Sequence, residues 1–308
     1  MRVSLILSVL LLAACQGAPV MPELPVQAES EAILDLRSGK ALTPEELAIR
    51  LSRAPRVIVG EQHDHPEHHA LQLWLLQAMA TQRAQGSLLL EMLTPDQQPR
   101  VDSLRQHQAA QGLPDDLPGA LAWSPGWDWA LYGPIVRYAL LQPYPLLAAN
   151  LDSAEVRTLY RQAPALSGER SNAASVRNEL LQQVRDSHCG LLPESQMPAM
   201  LAVQQQRDRR MAERLLAAPM PTLLFVGAFH ARKDVGVPIH LQDLGASNGA
   251  VVLMLAQKGT QVSPQSADYV WYSARLPEKD YCAEMRQQAD GFFPAKKDPA
   301  RAGSNNRD

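Results

Sequence analysis

Arg56-Val57-Ile58-Val59-Gly60-Glu61-Gln62-His63-Asp64-His65-Pro66-Glu67-His68-His69 changes character twice along its length. An apolar, β-branched run breaks at Gly60 into a turn dense with titratable groups. Leu71, Trp74, Leu75, Ala78 and Met79 then follow at the spacing of one helix face. Strand, turn and helix in that order is the repeating unit of open parallel α/β sheets, whose ligands bind beyond the carboxyl ends of the strands. The stretch also holds four of the chain's eight histidines. Asp64 reads as the N-cap of the helix, with Glu67 completing a capping box and Pro66 in the first turn, where a missing N–H costs nothing. His65 reads as solvated. His68 lies near the buried face, and His69 points about 100° away from it.

Working outward, Thr43-Pro44-Glu45-Glu46 is a second capping box and starts a helix that delivers this first strand. Further strands are expected at Ser87–Leu90, Pro145–Ala149, Thr222–Val226, Ala250–Leu255 and Tyr269–Tyr272, with helical segments between them. The run at 87–90 has no polar alternation, as befits a strand covered on both faces. The Pro-, Gly- and Trp-rich stretch 113–129 breaks any long helix, and residues 153–218 read as a helical insertion between two sheet halves. The fold class is therefore α/β, a mostly parallel sheet flanked by helices, in one domain over about 31–290. Residues 291–308 form a polar tail expected to be disordered.

Composition narrows the partners. The chain has 308 residues, 46% of them apolar, enough to bury a sizeable core. A net charge of −3 leaves no basic footprint for nucleic acid. At the N-terminus, Met1-Arg2 precedes an apolar run from Val3 to Leu12, too short for a permanent membrane span and shaped like a secretory signal. Its Leu12-Ala13-Ala14-Cys15 ending resembles a bacterial lipobox. That implies a signal peptide over 1–14, a lipidated Cys15, a Pro-rich tether over 15–30 and, with Gln16 next, an outer-membrane anchor holding a periplasmic domain. Cys189 and Cys282 remain as a candidate disulfide for an oxidising compartment.

The chemistry gathers at strand ends. Strand-Gly-x-x-His occurs at Gly60–His63 and again at Gly227–His230, a sign of duplication with both histidines over one rim. Glu61 and Glu91 are expected at adjacent strand ends, and Asn150 at another. Glu61, His63, Glu91 and His230 together suit either a divalent metal or general acid–base work. The competing reading pairs the two glutamates with Arg207 or Arg232. His68 and His69 are either ligands or supports that fix loops. Gln204, Arg207, Asp208 and Met211 share one helix face.

These motifs together, GEQHD…HH after a strand, Glu91-Met92, Q-x-x-R-D-x-x-M-A at 204–212 and G-x-x-H-x-R-x-D-x-G-V-P at 227–238, resemble the ChaN-like haem-binding lipoproteins. That family is similar in turn to erythromycin-esterase-like and TraB/TIKI proteins. The resemblance runs over about 33–285. It implies a lipoprotein of iron acquisition that binds haem, as a dimer, with tyrosine as axial ligand and histidine or lysine at the propionates, in partnership with a haem-uptake receptor; His63 and His230 are haem-binding candidates. Tyr132 and Tyr138, beside the tryptophans, are candidate ligands, with Tyr269, Tyr272 and Tyr281 as alternatives. No C-x-x-C-H is present for covalent haem. The alternative reading is a metal-dependent hydrolase built on the paired histidines and rim glutamates.

Overall fold

The computed structural model describes residues 21–25, 32–246 and 249–292. A short hairpin comes first, β1 (Ile33–Asp35) and β2 (Lys40–Leu42). Helix α1 (Pro44–Ser52) leads into β3 (Arg56–Glu61), and α2 (Pro66–Gln82) into β4 (Ser87–Leu90). Three helices, α3 (Gln98–Gln111), α4 (Leu117–Leu121) and α5 (Trp129–Leu140), precede β5 (Leu146–Ala148). The insertion holds α6 (Ser153–Gln162), α7 (Ala174–Ser187) and α8 (Met197–Ala217) and returns the chain to β6 (Thr222–Gly227). Then come α9 (Ala228–Ala231), α10 (Val237–Asp243), β7 (Val251–Gln257), β8 (Tyr269–Ser273) and α11 (Tyr281–Phe292).

The eight strands form one sheet in the order β2-β1-β8-β7-β3-β6-β4-β5. Strands β3 to β8 run parallel, and β1 pairs antiparallel with both β2 and β8. Alternation across β3 explains why both faces carry helices. Val57 and Val59 pack with α1, α2 and α5, whereas Ile58 packs on the opposite face with α8 and α10. The first core includes an edge-on contact of Trp74 with Trp271, with ring centroids 5.5 Å apart. The hairpin was not anticipated, because three-residue strands are too short to show a period.

Two expectations about helix starts part company. At α1, Thr43 Oγ1 accepts from the Glu46 N–H at 3.1 Å and Glu46 accepts from the Thr43 N–H at 2.9 Å, as the capping box requires. At α2 the N-cap is His65, with no side-chain cap bond, rather than Asp64. Glu67 turns instead to the Ala274 N–H at 3.0 Å. His65 is not solvated: it is buried, stacks on His68 at 4.0 Å and meets the Ala274 carbonyl at 3.0 Å. The end of β8 runs past the start of α2, and its backbone groups compete for the residues that local spacing assigns to the cap.

Residues 21–25, the described part of the expected tether, lie against the domain. Trp74 Nε1 donates to the Pro22 carbonyl at 3.0 Å, and Thr81 Oγ1 donates to Met21 Sδ at 3.3 Å. The signal peptide, Cys15, the rest of the tether and residues 293–308 lie outside the described residues. Among the described residues no helix is long and apolar enough to cross a membrane.

Candidate functional site

The carboxyl ends of β3, β6 and β4 meet at one rim. Glu61 pairs in register with Gly227, and the Glu91 N–H donates to the Phe225 carbonyl at 3.1 Å. Because β6 lies between β3 and β4, Glu61 and Glu91 flank Gly227 and are not on adjacent strands, contrary to expectation. The chain visits β4 and β5 first and comes back through the insertion to seat β6 between them and β3. Glu91 uses its position to accept from the Gly227 N–H at 2.8 Å.

Each Gly-x-x-His histidine is held by a carboxylate. His63 Nδ1 lies 2.7 Å from Glu61 Oε1 and 3.0 Å from the Tyr132 hydroxyl, which itself donates to Glu61 at 2.9 Å. His230 Nδ1 lies 2.7 Å from Asp208 Oδ1, and its Nε2 is 3.5 Å from Glu91. Burial opposes a charge on His230, but Glu91 and Asp208 outweigh it and raise the imidazole to about 9. The same contest raises His63, with Glu61 and Glu91 overcoming burial. Burial likewise works against ionised Glu91, yet the two imidazoles and the Gly227 N–H hold it below the ordinary range. Tyr132 is pushed far up by burial and by Glu61, so its phenol keeps its proton. Two histidine–carboxylate groups therefore face one another across the end of β6, and in both the carboxylates favour the protonated imidazole.

The other α2 histidines are supports. His69 Nε2 meets the His63 carbonyl at 3.0 Å and its ring lies edge-on to Tyr132, with centroids 4.4 Å apart. His68 Nδ1 accepts from the Gln62 N–H at 2.9 Å while Nε2 contacts Ser273 Oγ at 2.9 Å. Burial, with His65 and His69 nearby, lowers His68 to about 2, so it stays neutral.

Above the rim opens a cavity of about 1570 Å³. Its floor includes Glu61, His63, Glu91 and His230; Trp127, Phe229, Met254 and Val262 supply apolar wall; and Arg207, Arg232 and Lys258 supply positive charge. Arg207 Nε is buried with no hydrogen-bond partner. Arg232 is engaged by Asp234 at 2.7 Å and Glu179 at 2.8 Å, so neither rim glutamate is its partner. Asn150 does not reach the cavity: its Oδ1 caps the Leu151 N–H at 2.8 Å, since β5 is the far edge strand.

The tyrosines separate cleanly. Tyr132 is locked under His63, Tyr138 packs against the core, and Tyr269 sits at the amino end of β8, away from the rim. Tyr272 and Tyr281 line the cavity. Tyr281 is 46% exposed and donates to Asp64 Oδ2, which pushes the phenol up to about 12; the Lys279 ammonium lies 4.9 Å from the ring centroid. It is carried into place by its neighbour, because Cys282 is disulfide-bonded to Cys189 just beyond α7. In the sequence Tyr281 stood among the alternative ligands, with no motif around it. Trp127 belongs to the tryptophan-rich segment that the sequence marked, whereas Phe229 carried no such signal. As for a divalent metal, among the described residues no group of three or more His, Cys, Asp or Glu is placed to hold one.

A family described as "Haem-binding uptake, Tiki superfamily, ChaN" matches residues 47–241. Among solved structures, the chain is similar to one titled "Cofacial heme binding to ChaN of Campylobacter jejuni", at 28% identity and TM-score 0.74, covering 82% of this chain and 100% of that one. A mutant erythromycin esterase in its open conformation aligns at 13% identity and TM-score 0.43, over 80% of this chain and 83% of the other. No curated protein sequence matches the chain.

Proposed function

This chain belongs to the ChaN haem-binding uptake family of the Tiki superfamily, and from that premise we propose that it binds haem in the rim cavity as part of iron acquisition. The observation that carries the reading is the lining of that cavity. Its volume of about 1570 Å³ exceeds the roughly 300–1,000 Å³ of most small-molecule sites. Aromatic and thioether side chains offer faces to a flat macrocycle, and Arg207, in the cavity lining, offers positive charge to a propionate. Tyr281 is the oxygen donor of choice for ferric iron, being exposed at the mouth, with Tyr272 deeper in. A phenolate is a hard anionic ligand of the kind ferric haem accepts. Asp64 accepts from the Tyr281 hydroxyl and fixes its position at the mouth.

Haem, when bound, supplies the iron; this chain's residues hold and orient it. His230, fixed by Asp208 and Glu91, puts positive charge at the floor, and His63, fixed by Glu61, stands beside it as a further hydrogen-bonding group for propionates. The similar Campylobacter jejuni protein binds haem cofacially, and the same arrangement is proposed here: two copies facing each other through their open cavities, each with one haem. Lipidation of Cys15, an outer-membrane location and delivery to or from an uptake receptor complete the reading. Titration of the purified chain with ferric haem tests it, with light scattering for mass. A shifted Soret band at micromolar haem and a doubled mass support it; free-haem absorbance throughout rejects it.

One observation favours a second reading, hydrolysis at the cavity floor. Asp208 orients His230 so that its Nε2 faces Glu91, the geometry of a positioned acid–base pair. An ester and peptide hydrolysis screen with His230→Asn as control decides it: turnover lost in the variant supports it, and equal background in both rejects it.

A further inference from the structure

The opposite edge of the sheet has a character of its own. All six central strands run one way, so the helices that precede them end together at the amino edge. Hydrogen bonds tie these ends into one surface: Thr222 N–H to the Pro55 carbonyl at 2.9 Å, Gly86 N–H to Pro221 at 2.9 Å and Leu88 N–H to Pro145 at 3.0 Å. Three large apolar side chains stand out from this edge, Met220 at 57% exposure, Leu141 at 53% and Ile49 at 38%. Within segments 49–56, 81–87, 141–146 and 213–222 the charged residues are Arg50, Arg53, Arg56, Arg83 and Arg214 against Glu213. Arg50 is ion-paired with Asp35 at 2.8 Å and Arg83 donates to the Ala54 carbonyl, whereas Arg53 and Arg214 are exposed, so a chain that is acidic overall presents a net basic edge studded with apolar side chains. At the cavity end the exposed apolar residues are Phe229, Tyr281 and Leu191, the last two residues from the cysteine bonded to Cys282.

The chain's own path points the same way. Met21 contacts Thr81 and Gln82 at the last turn of α2, on this amino edge. Cys15 precedes Met21 by six residues, which can span at most roughly 20 Å.

We propose that the amino edge of the sheet, with Met220, Leu141, Ile49 and the surrounding arginines, rests on an anionic lipid surface, so that the cavity opens away from the membrane. The proposal deepens the reading of Cys15 as a lipid anchor and rests on it for the tether. Arginines near an anionic headgroup layer gain electrostatically, and apolar side chains at loop tips enter the interface. A cavity facing away from the bilayer stays open to a partner copy and to incoming haem.

The test is hydrogen exchange on the full chain, purified with its modifications and bound to phosphatidylethanolamine–phosphatidylglycerol vesicles, with mass spectrometry of the N-terminal peptide. Peptides covering 49–56, 81–88 and 219–222 should exchange about tenfold more slowly on these vesicles than in solution, while 227–232 and 257–262 should not change. Leu141→Glu with Met220→Glu should abolish the protection, and Leu191→Glu should leave it intact. Protection of the cavity segments instead, or none at the edge, overturns the proposal whether or not Cys15 is acylated. Edge protection with an unmodified Cys15 keeps the lipid contact and removes only the anchor. Protection that rises with protein concentration in the absence of vesicles assigns the edge to a second copy and overturns it.

Discussion

Gly227 lies against the ring of His63: a Cβ at 227 would lie 2.6 Å from His63 Nε2, so the imidazole would have to shift to admit one. The glycine of one Gly-x-x-His turn thus makes room for the histidine of the other. Gly60 does the same against Ala231, at 2.6 Å, and Met254, at 2.8 Å. The two turns are packed into each other, which is why both histidines reach one floor.

Gly227→Ala should displace His63 from Glu61 and destabilise the fold by about 1–3 kcal/mol, the usual cost of overpacking. Thermal unfolding should drop by about 2–4 °C per kcal/mol. A melting temperature equal to wild type would mean that the neighbouring ring yields freely.

His230 sets a pH signature. Its folded value of about 9 lies above the ordinary 6.5, so its stabilising contribution is complete below pH 6.5 and is lost as pH rises through 9. Wild-type stability should fall between those values, and Asp208→Asn should flatten that fall, because one of the carboxylates that raises the imidazole is gone. Denaturant unfolding across this pH range measures it. An unchanged slope in the variant would contradict the assignment.

Tyr132→Phe removes a buried phenol from Glu61 and His63 without opening a large void. Hydrogen bonds to charged groups are worth about 1.5–3 kcal/mol, so a loss of that order is expected in chemical unfolding. The haem spectrum should stay as in wild type, since Tyr132 is sealed under the floor; a lost Soret shift would make it a ligand after all.

Breaking Cys189–Cys282 should act on stability and on the site together. The bond closes a separation of 93 residues, and bridges of this kind typically contribute about 2–4 kcal/mol. Cys189→Ser with Cys282→Ser should lower the melting temperature and also weaken haem binding, because Tyr281 is no longer pinned at the mouth. Destabilisation with unchanged haem affinity would show that Tyr281 does not depend on the bridge.

How much of this was legible beforehand follows physical lines. The six central strands and α1 were readable because apolar runs and capping boxes are local signals. The rim set of Glu61, His63, Glu91 and His230 was readable because strand ends converge in a parallel sheet. Sequence could not say that β6 inserts between β3 and β4, since strand order is set by the long return through the insertion. Nor could it say that His65 and Glu67 would be taken from the α2 cap by Ser273 and Ala274, more than two hundred residues away. Asn150 looked like a rim residue until β5 proved to be the edge strand. Tyr281 stood only among the alternative ligands because its charged segment has no period, although the pairing of its neighbour Cys282 with Cys189 was already the candidate disulfide.

The central claim is that ferric haem sits in the rim cavity with the Tyr281 oxygen on iron. Its most direct test is a titration of the full chain with ferric haem, wild type against Tyr281→Phe, followed by absorbance and by electron paramagnetic resonance. The account predicts a tyrosinate-type high-spin ferric signal and tight binding in the wild type, with the signal gone and affinity reduced about tenfold or more in the variant. An identical spectrum and affinity in Tyr281→Phe would contradict it.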